Sequence, residues 1–254
     1  MYSWIIDDLI HDTLNFANIC NKLDISEVFQ EIPRDYFNDD LVLAIKRLKD
    51  NTKNNIDISY LCGDASWYNN SDHTKAEIDT VVSYNTNYGY EYPITKIVFD
   101  IEPWTLGENE WVDEFLNTIK ETYSYAKANN ITLFLTIPFW LDTSEDINDD
   151  TFYKEIIKYS DGVIVMNYNR YACFEAIDNE VNYVKEKGKL IYSAAETQEP
   201  NTKYGVDDSI TYYNVGLNKL MQDWICLEEK YKYSGLGFVY HDFNSLKALY
   251  NTKM

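Results

Sequence analysis

Eight short apolar runs recur along this chain, and segments with helical spacing separate them. That alternation constrains the fold more than any other feature. The runs cover residues 1–7, 25–32, 56–63, 94–102, 131–137, 161–169, 189–196 and 235–241. Between them the periodicity predicts helices over 9–23, 41–49, 75–84, 110–129, 150–159, 174–187 and 215–231, with a closing helix over 245–250. The caps expected are Asp39 or Asp40 at the start of the second helix and Gly188 after the sixth. Near-continuous apolar strands joined by helices belong to parallel sheets with right-handed crossovers. Eight such units in 254 residues match the size of a (β/α)8 TIM barrel. The expectation is therefore an α/β chain, with residues 1–254 forming one barrel domain. An open doubly wound sheet is the rival. Its nucleotide-binding forms lose support, because no GxGxxG follows the first run and no GxxxxGKS/T occurs.

The fourth run ends unusually. Side chains alternate in a strand, so Val98, Asp100 and Glu102 share one face and Ile97, Phe99 and Ile101 the other. A desolvated charge costs on the order of several kcal/mol, so two carboxylates ending a buried strand call for a reason. Catalysis is the expected one; a solvent-facing pair is the plainer alternative. In a barrel the C-terminal strand ends build the active site. This reading puts there Trp4 and Asp7, Asp64 and Trp67, Asp100, Glu102 and Trp104, and Trp140. It adds Asn167, Tyr168 and Asn169, Glu196, and Tyr240, His241 and Asp242. Carboxylates and flat aromatic faces are what glycosidic bond cleavage uses: a proton donor, a stabiliser of oxocarbenium-like charge, and walls for sugar rings. The excess of 23 Tyr and 6 Trp fits such walls, although a third or more are expected to be rim packing.

Composition removes several classes. A net charge of −20 argues against nucleic acid and against an anionic membrane surface. No apolar run reaches membrane-spanning length. Three His without HxH or HExxH spacing argue against a histidine metal site, and no cofactor is called for. Four Cys without a CxxC are expected to be buried thiols. No basic-then-apolar leader opens the chain, which leaves a cytoplasmic protein or a mature secreted or cell-envelope fragment. A monomer acting on a carbohydrate is expected.

Asp100, Ile101 and Glu102 resemble the end of the DxxDxDxE strand of family 18 glycoside hydrolases, the chitinase-like barrels. Met166, Asn167, Tyr168 and Asn169 are similar to that family's MxYD, and residues 235–240 to its final strand. The resemblance implies Glu102 as general acid, with Asp100 assisting at the substrate N-acetyl group. It implies Tyr168 and the residue at 169 against the reacting sugar, and Tyr240 as the floor of the pocket. Thr95 and Val98 stand where the family has two earlier Asp, and Asn169 stands where it has the MxYD Asp. The match therefore implies the wider group of glycoside-hydrolase barrels rather than chitinase activity.

A second layout in such barrels sets the acid/base on strand four and a nucleophilic Glu at the end of strand seven. Glu102 and Glu196 fit it, with Glu196 on the face of Tyr192 and Ala194. In both layouts Glu102 must stay protonated near neutral pH, which Asp100 and apolar surroundings favour. The expected function is hydrolysis of an oligo- or polysaccharide by Glu102, Asp100, Tyr168 and Glu196. Trp4, Asp64, Trp67, Trp104, Trp140, Asn167, Asn169 and Tyr240 would bind substrate. The alternative is a non-catalytic, lectin-like barrel that kept the aromatics. A barrel lyase or isomerase would call for phosphate or metal ligation, which the sequence does not show.

Overall fold

The computed structural model describes residues 1–107, 111–143, 151–203 and 205–253. Its strands are β1 (Tyr2–Ser3), β2 (Glu27–Glu31), β3 (Asp57–Cys62), β4 (Lys96–Phe99), β5 (Thr132–Pro138), β6 (Gly162–Met166), β7 (Leu190–Glu196) and β8 (Leu236–His241). They lie in one sheet in sequence order. The helices are α1 (Ile6–His11), α2 (Thr13–Lys22), α3 (Asp39–Asn51), α4 (Ser71–Asn87), α5 (Trp111–Ala128), α6 (Phe152–Lys158), α7 (Asp178–Lys187), α8 (Leu217–Tyr231) and α9 (Phe243–Lys253). This order of strands and helices is the (β/α)8 fold expected from the sequence. Among the described residues no helix is long and apolar enough to cross a membrane. The expected helix starts at Glu110 and Asp150 lie outside the described residues.

The chain divides into two compact units, Met1–Leu133 and Phe134–Met254. In the first, parallel pairing runs Phe29↔Ser59, Tyr60↔Ile97 and Leu61↔Val98. One sheet face carries Tyr60, which donates its hydroxyl proton to Glu77 of α4 at 2.8 Å and meets Phe37 edge-on. That face belongs to the helices. The opposite face carries Tyr2, Phe29, Leu61 and Val98, all buried. On it Glu27 accepts from Ser59 and pairs with Lys96 at 2.6 Å, near the strand beginnings.

Two local details differ from expectation. The segment 9–23 is two helices, because the backbone of Asp12 leaves the helical region at φ −125°, ψ 33°. There the Asp12 carboxylate accepts from the Asn15 side chain, an alternative to the helical ladder that Asp offers readily. α3 is capped by Asn38, not by Asp39 or Asp40: its side-chain oxygen accepts from the Asp40 N–H at 2.8 Å. Asn70 does the same for α4 through Asp72.

In the second unit the rows are Phe134↔Gly162, Ile164↔Tyr192, Tyr192↔Gly237 and Glu196↔His241. The Phe134 and Tyr192 rings stack at 5.5 Å between centroids. A Cβ on Gly162 would lie 2.4 Å from the Phe134 ring, and one on Gly237 2.5 Å from that of Tyr192. Both glycines make room for rings. On the opposite face Phe238 and Tyr240 pack against Trp224 of α8. Cys20, Cys62 and Cys173 are buried free thiols as expected, whereas Cys226 is exposed on α8.

Candidate active site

The first unit gathers its candidate residues just beyond β4. The strand ends at Phe99, but the ladder continues one step further: the Asp100 N–H donates to the Cys62 carbonyl at 2.9 Å. Glu102 then opens a 3-10 turn, Pro103–Leu106, with proline at its first position. Proline is favoured there because that N–H has no partner in any case. The Glu102 carbonyl accepts from the Thr105 N–H at 3.0 Å and the Thr105 hydroxyl at 2.7 Å, so its backbone is fixed. Its half-buried carboxylate accepts from the Trp104 indole N–H, 3.1 Å from Oε2. The indole in turn meets Trp111 of α5 at 5.8 Å, tilted by 65°. Trp104 therefore orients Glu102. Trp104→Phe, which keeps the ring and removes the N–H, is expected to lower turnover about tenfold and to leave the melting temperature within a few degrees of wild type.

Asp100 is placed by a glycine. A Cβ at Gly63 would stand 1.9 Å from the Asp100 carbonyl oxygen. The contact is with backbone, so no rotamer change relieves it. Gly63→Ala is expected to cost about 1–3 kcal/mol or more, measured by urea unfolding, and to lower activity by displacing the acidic strand end.

Glu31 lies on the sheet face of Leu61 and Val98, and the sequence alone assigns it no role. Its register partner is Leu61, which pairs with Val98, and Asp100 follows two residues later on that face. Partial burial raises the Glu31 carboxyl above its ordinary range. The only sequence signal was its place in the alternation ahead of Pro33. Trp4 stacks on Tyr2 at 5.7 Å. Asp64 caps the short turn Ala65–Asn69 through Ser66, whose two hydrogen bonds hold its carboxyl below the usual range. Trp67, in that turn, stacks on His73.

The second unit holds a cluster of its own. Glu196 is buried at the end of β7, and both of its oxygens are engaged. Oε1 accepts from the Gln198 N–H at 2.7 Å, and Oε2 lies 2.8 Å from His241 Nδ1. The Tyr168 ring lies 5.5 Å from the imidazole. The alternation thus brings Tyr168, Glu196 and His241 together. It sends Tyr240 and Asn167 elsewhere. Tyr240 packs on Trp224, and burial pushes its hydroxyl up to about 12. Asn167 donates to Ser193 Oγ at 3.1 Å and to the Cys173 carbonyl at 3.0 Å, tying the β6 loop to β7. The Asn169 side-chain oxygen accepts from the Ala172 N–H at 3.1 Å and shapes the turn after β6. Trp140 sits in the turn that follows β5.

No family model and no curated protein matches the chain. Solved structures do. A GH18 chitinase from Pseudoalteromonas aurantia superposes with a TM-score of 0.60 at 11% identity, over 98% of both chains. The spore cortex-lytic enzyme SleL of Bacillus cereus gives 0.59 at 13% identity, over 100% of this chain and 73% of that one. A D-psicose 3-epimerase from Clostridium cellulolyticum gives 0.55 at 11% identity, over 100% and 92%. At these identities the likeness is one of fold, which chitinases and an epimerase share.

Proposed function

We propose that the chain is a glycoside hydrolase acting on an oligo- or polysaccharide, with Glu102 as general acid and Asp100 assisting. The observation that carries this reading is the hold on Glu102. An indole N–H only donates, so Trp104 holds the carboxyl in place without taking the proton of its acid form. That proton passes to the glycosidic oxygen as its bond to the anomeric carbon breaks, and Asp100, two residues before Glu102, offsets the positive charge that develops there. The chitinase and SleL folds support the reading.

A lectin-like barrel is the second reading, and two positions favour it. Val98 is fully buried where the resembled strand has an acid, and the Asn169 side chain is spent on its own turn. A glycan panel separates the two. Release of new reducing ends supports the hydrolase, whereas thermal stabilisation by a glycan without release supports the binding protein.

A further inference from the structure

We infer that the beginnings of β2, β3 and β4 hold a separate carbohydrate site, which binds one neutral sugar ring through its neighbouring hydroxyls. Glu27, Asp57 and Lys96 are the first residues of these strands. The site therefore lies at the opposite end of the strands from Asp100 and Glu102, within the same unit. A cavity of about 150 Å³ opens there. An apolar cavity of about that volume admits benzene, so this one has room for one six-membered ring. The loop between α4 and β4 brings Tyr92 and Thr95 to it, and α3 brings Ile45 and Lys49. Ile45 and Ile58 are buried and give it an apolar wall. The inference concerns this end of the strands alone and stands whether or not Glu102 cleaves a glycan.

The charged walls select against ions. Lys49 pairs with Asp57 at 3.1 Å and Lys96 with Glu27 at 2.6 Å, so each cation of the cavity has its own carboxylate. A phosphate finds no surplus positive charge there, and an amine no surplus negative charge. What the walls offer is hydrogen bonding of both kinds. An ammonium has three N–H groups, and Lys49 gives one to Asp57 Oδ1. Among the described residues, Asp57 Oδ2 and the hydroxyls of Tyr92 and Thr95 have no hydrogen-bond partner. A hydroxyl both donates and accepts, so a polyol matches such walls where an ion or an apolar ring does not. Two neighbouring hydroxyls of a pyranose fit the ion pair directly: one accepts from Lys49 Nζ, and the other donates to the Asp57 carboxylate. The lysine is the sheltered member, its side chain 19% exposed, while that of Asp57 is 75% exposed and stands on the open side. Ile45 and Ile58 receive the C–H groups of the ring.

Amide NMR of the whole chain, titrated with the methyl glycosides of glucose, galactose and mannose, tests the site. At least one glycoside is expected to shift the Ser59, Tyr92 and Thr95 amides saturably, with a Kd on the order of millimolar. Tetrahydropyran-2-methanol, a six-membered ring ether without neighbouring hydroxyls, is expected to leave them unmoved. Asp57→Asn and Lys49→Met are expected to weaken binding about tenfold or more, and Tyr92→Phe severalfold. An ion pair this exposed contributes little to folding, so these variants keep the fold, which the rest of their amide spectra verifies. Silence of these amides toward all three glycosides overturns the inference. So does saturation by inorganic phosphate or glycine in their place, or sugar binding that Asp57→Asn leaves unchanged. Glu102→Gln is expected to bind at these amides as the wild type does. If a glycan is cleaved while these amides stay silent, the hydrolase reading stands and this site falls; if they shift and nothing is cleaved, the reverse holds.

Discussion

Glu102→Gln is expected to lose on the order of a hundredfold or more in turnover of a natural glycan while folding and binding as the wild type does. The amide oxygen can still accept from the Trp104 indole at the place of Oε2, so shape and orientation are kept and the transferable proton is removed. A sharper form of the test uses two substrates. An aryl glycoside with an acidic phenol as leaving group needs little protonation, whereas an alkyl glycoside or a polymer needs it fully. If Glu102 is the acid, the variant keeps much of its rate on the first and loses it on the second. Equal loss on both would make Glu102 a binding residue. No loss on either would remove the centre of the proposed mechanism.

The second large effect concerns stability. Glu180, in the first turn of α7, is fully buried, and among the described residues neither carboxylate oxygen has a hydrogen-bond partner beyond its own backbone. Burial first, and then the negative charges of Asp142 and Asp178, push its carboxyl up to about 8. The folded protein therefore holds this proton more tightly than the unfolded chain. Its contribution is fully present below about 4.5 and is lost as pH rises to about 8. The slope is at most about 1.4 kcal/mol per pH unit. Glu180→Gln cannot ionise and escapes this loss. Relative to wild type, its unfolding free energy is expected to climb between pH 5 and 8 by up to several kcal/mol and then to level off. Urea titrations of both proteins at pH 5, 6.5, 8 and 9 read the difference directly. A difference that stays flat with pH would show that Glu180 ionises no differently in the fold.

Much of the fold was legible because its central strands are largely apolar on both faces, as in β5 and β6. The shortest pieces were not. β1 keeps only two of the seven residues its run offered, since Ile6 already starts a helix. The capping choices of Asn38 and Asn70 depend on backbone angles that neighbouring acids fit almost as well. In the candidate site, Glu102 stood out as a carboxylate after an apolar strand, but its tie to Trp104 needs a turn that only Pro103 hinted at. Tyr240 shows the opposite case. Alternation alone says that Tyr240 and His241 face apart. Only the register, which sets His241 across from Glu196, says which of them belongs to the helices. The sequence alone therefore gives His241 a place at the strand end and no role.

The ring-over-glycine packing of the second unit bears on how such sequences diverge. Gly162 and Phe134 fill one volume between them, as do Gly237 and Tyr192. A side chain at either glycine requires a smaller residue at its partner, so related chains are expected to exchange these positions in pairs. Gly237 also lies in the segment that resembles the final strand of the chitinase-like barrels. Part of that likeness is accordingly a demand of packing, which any barrel with a ring at the facing position meets in the same way.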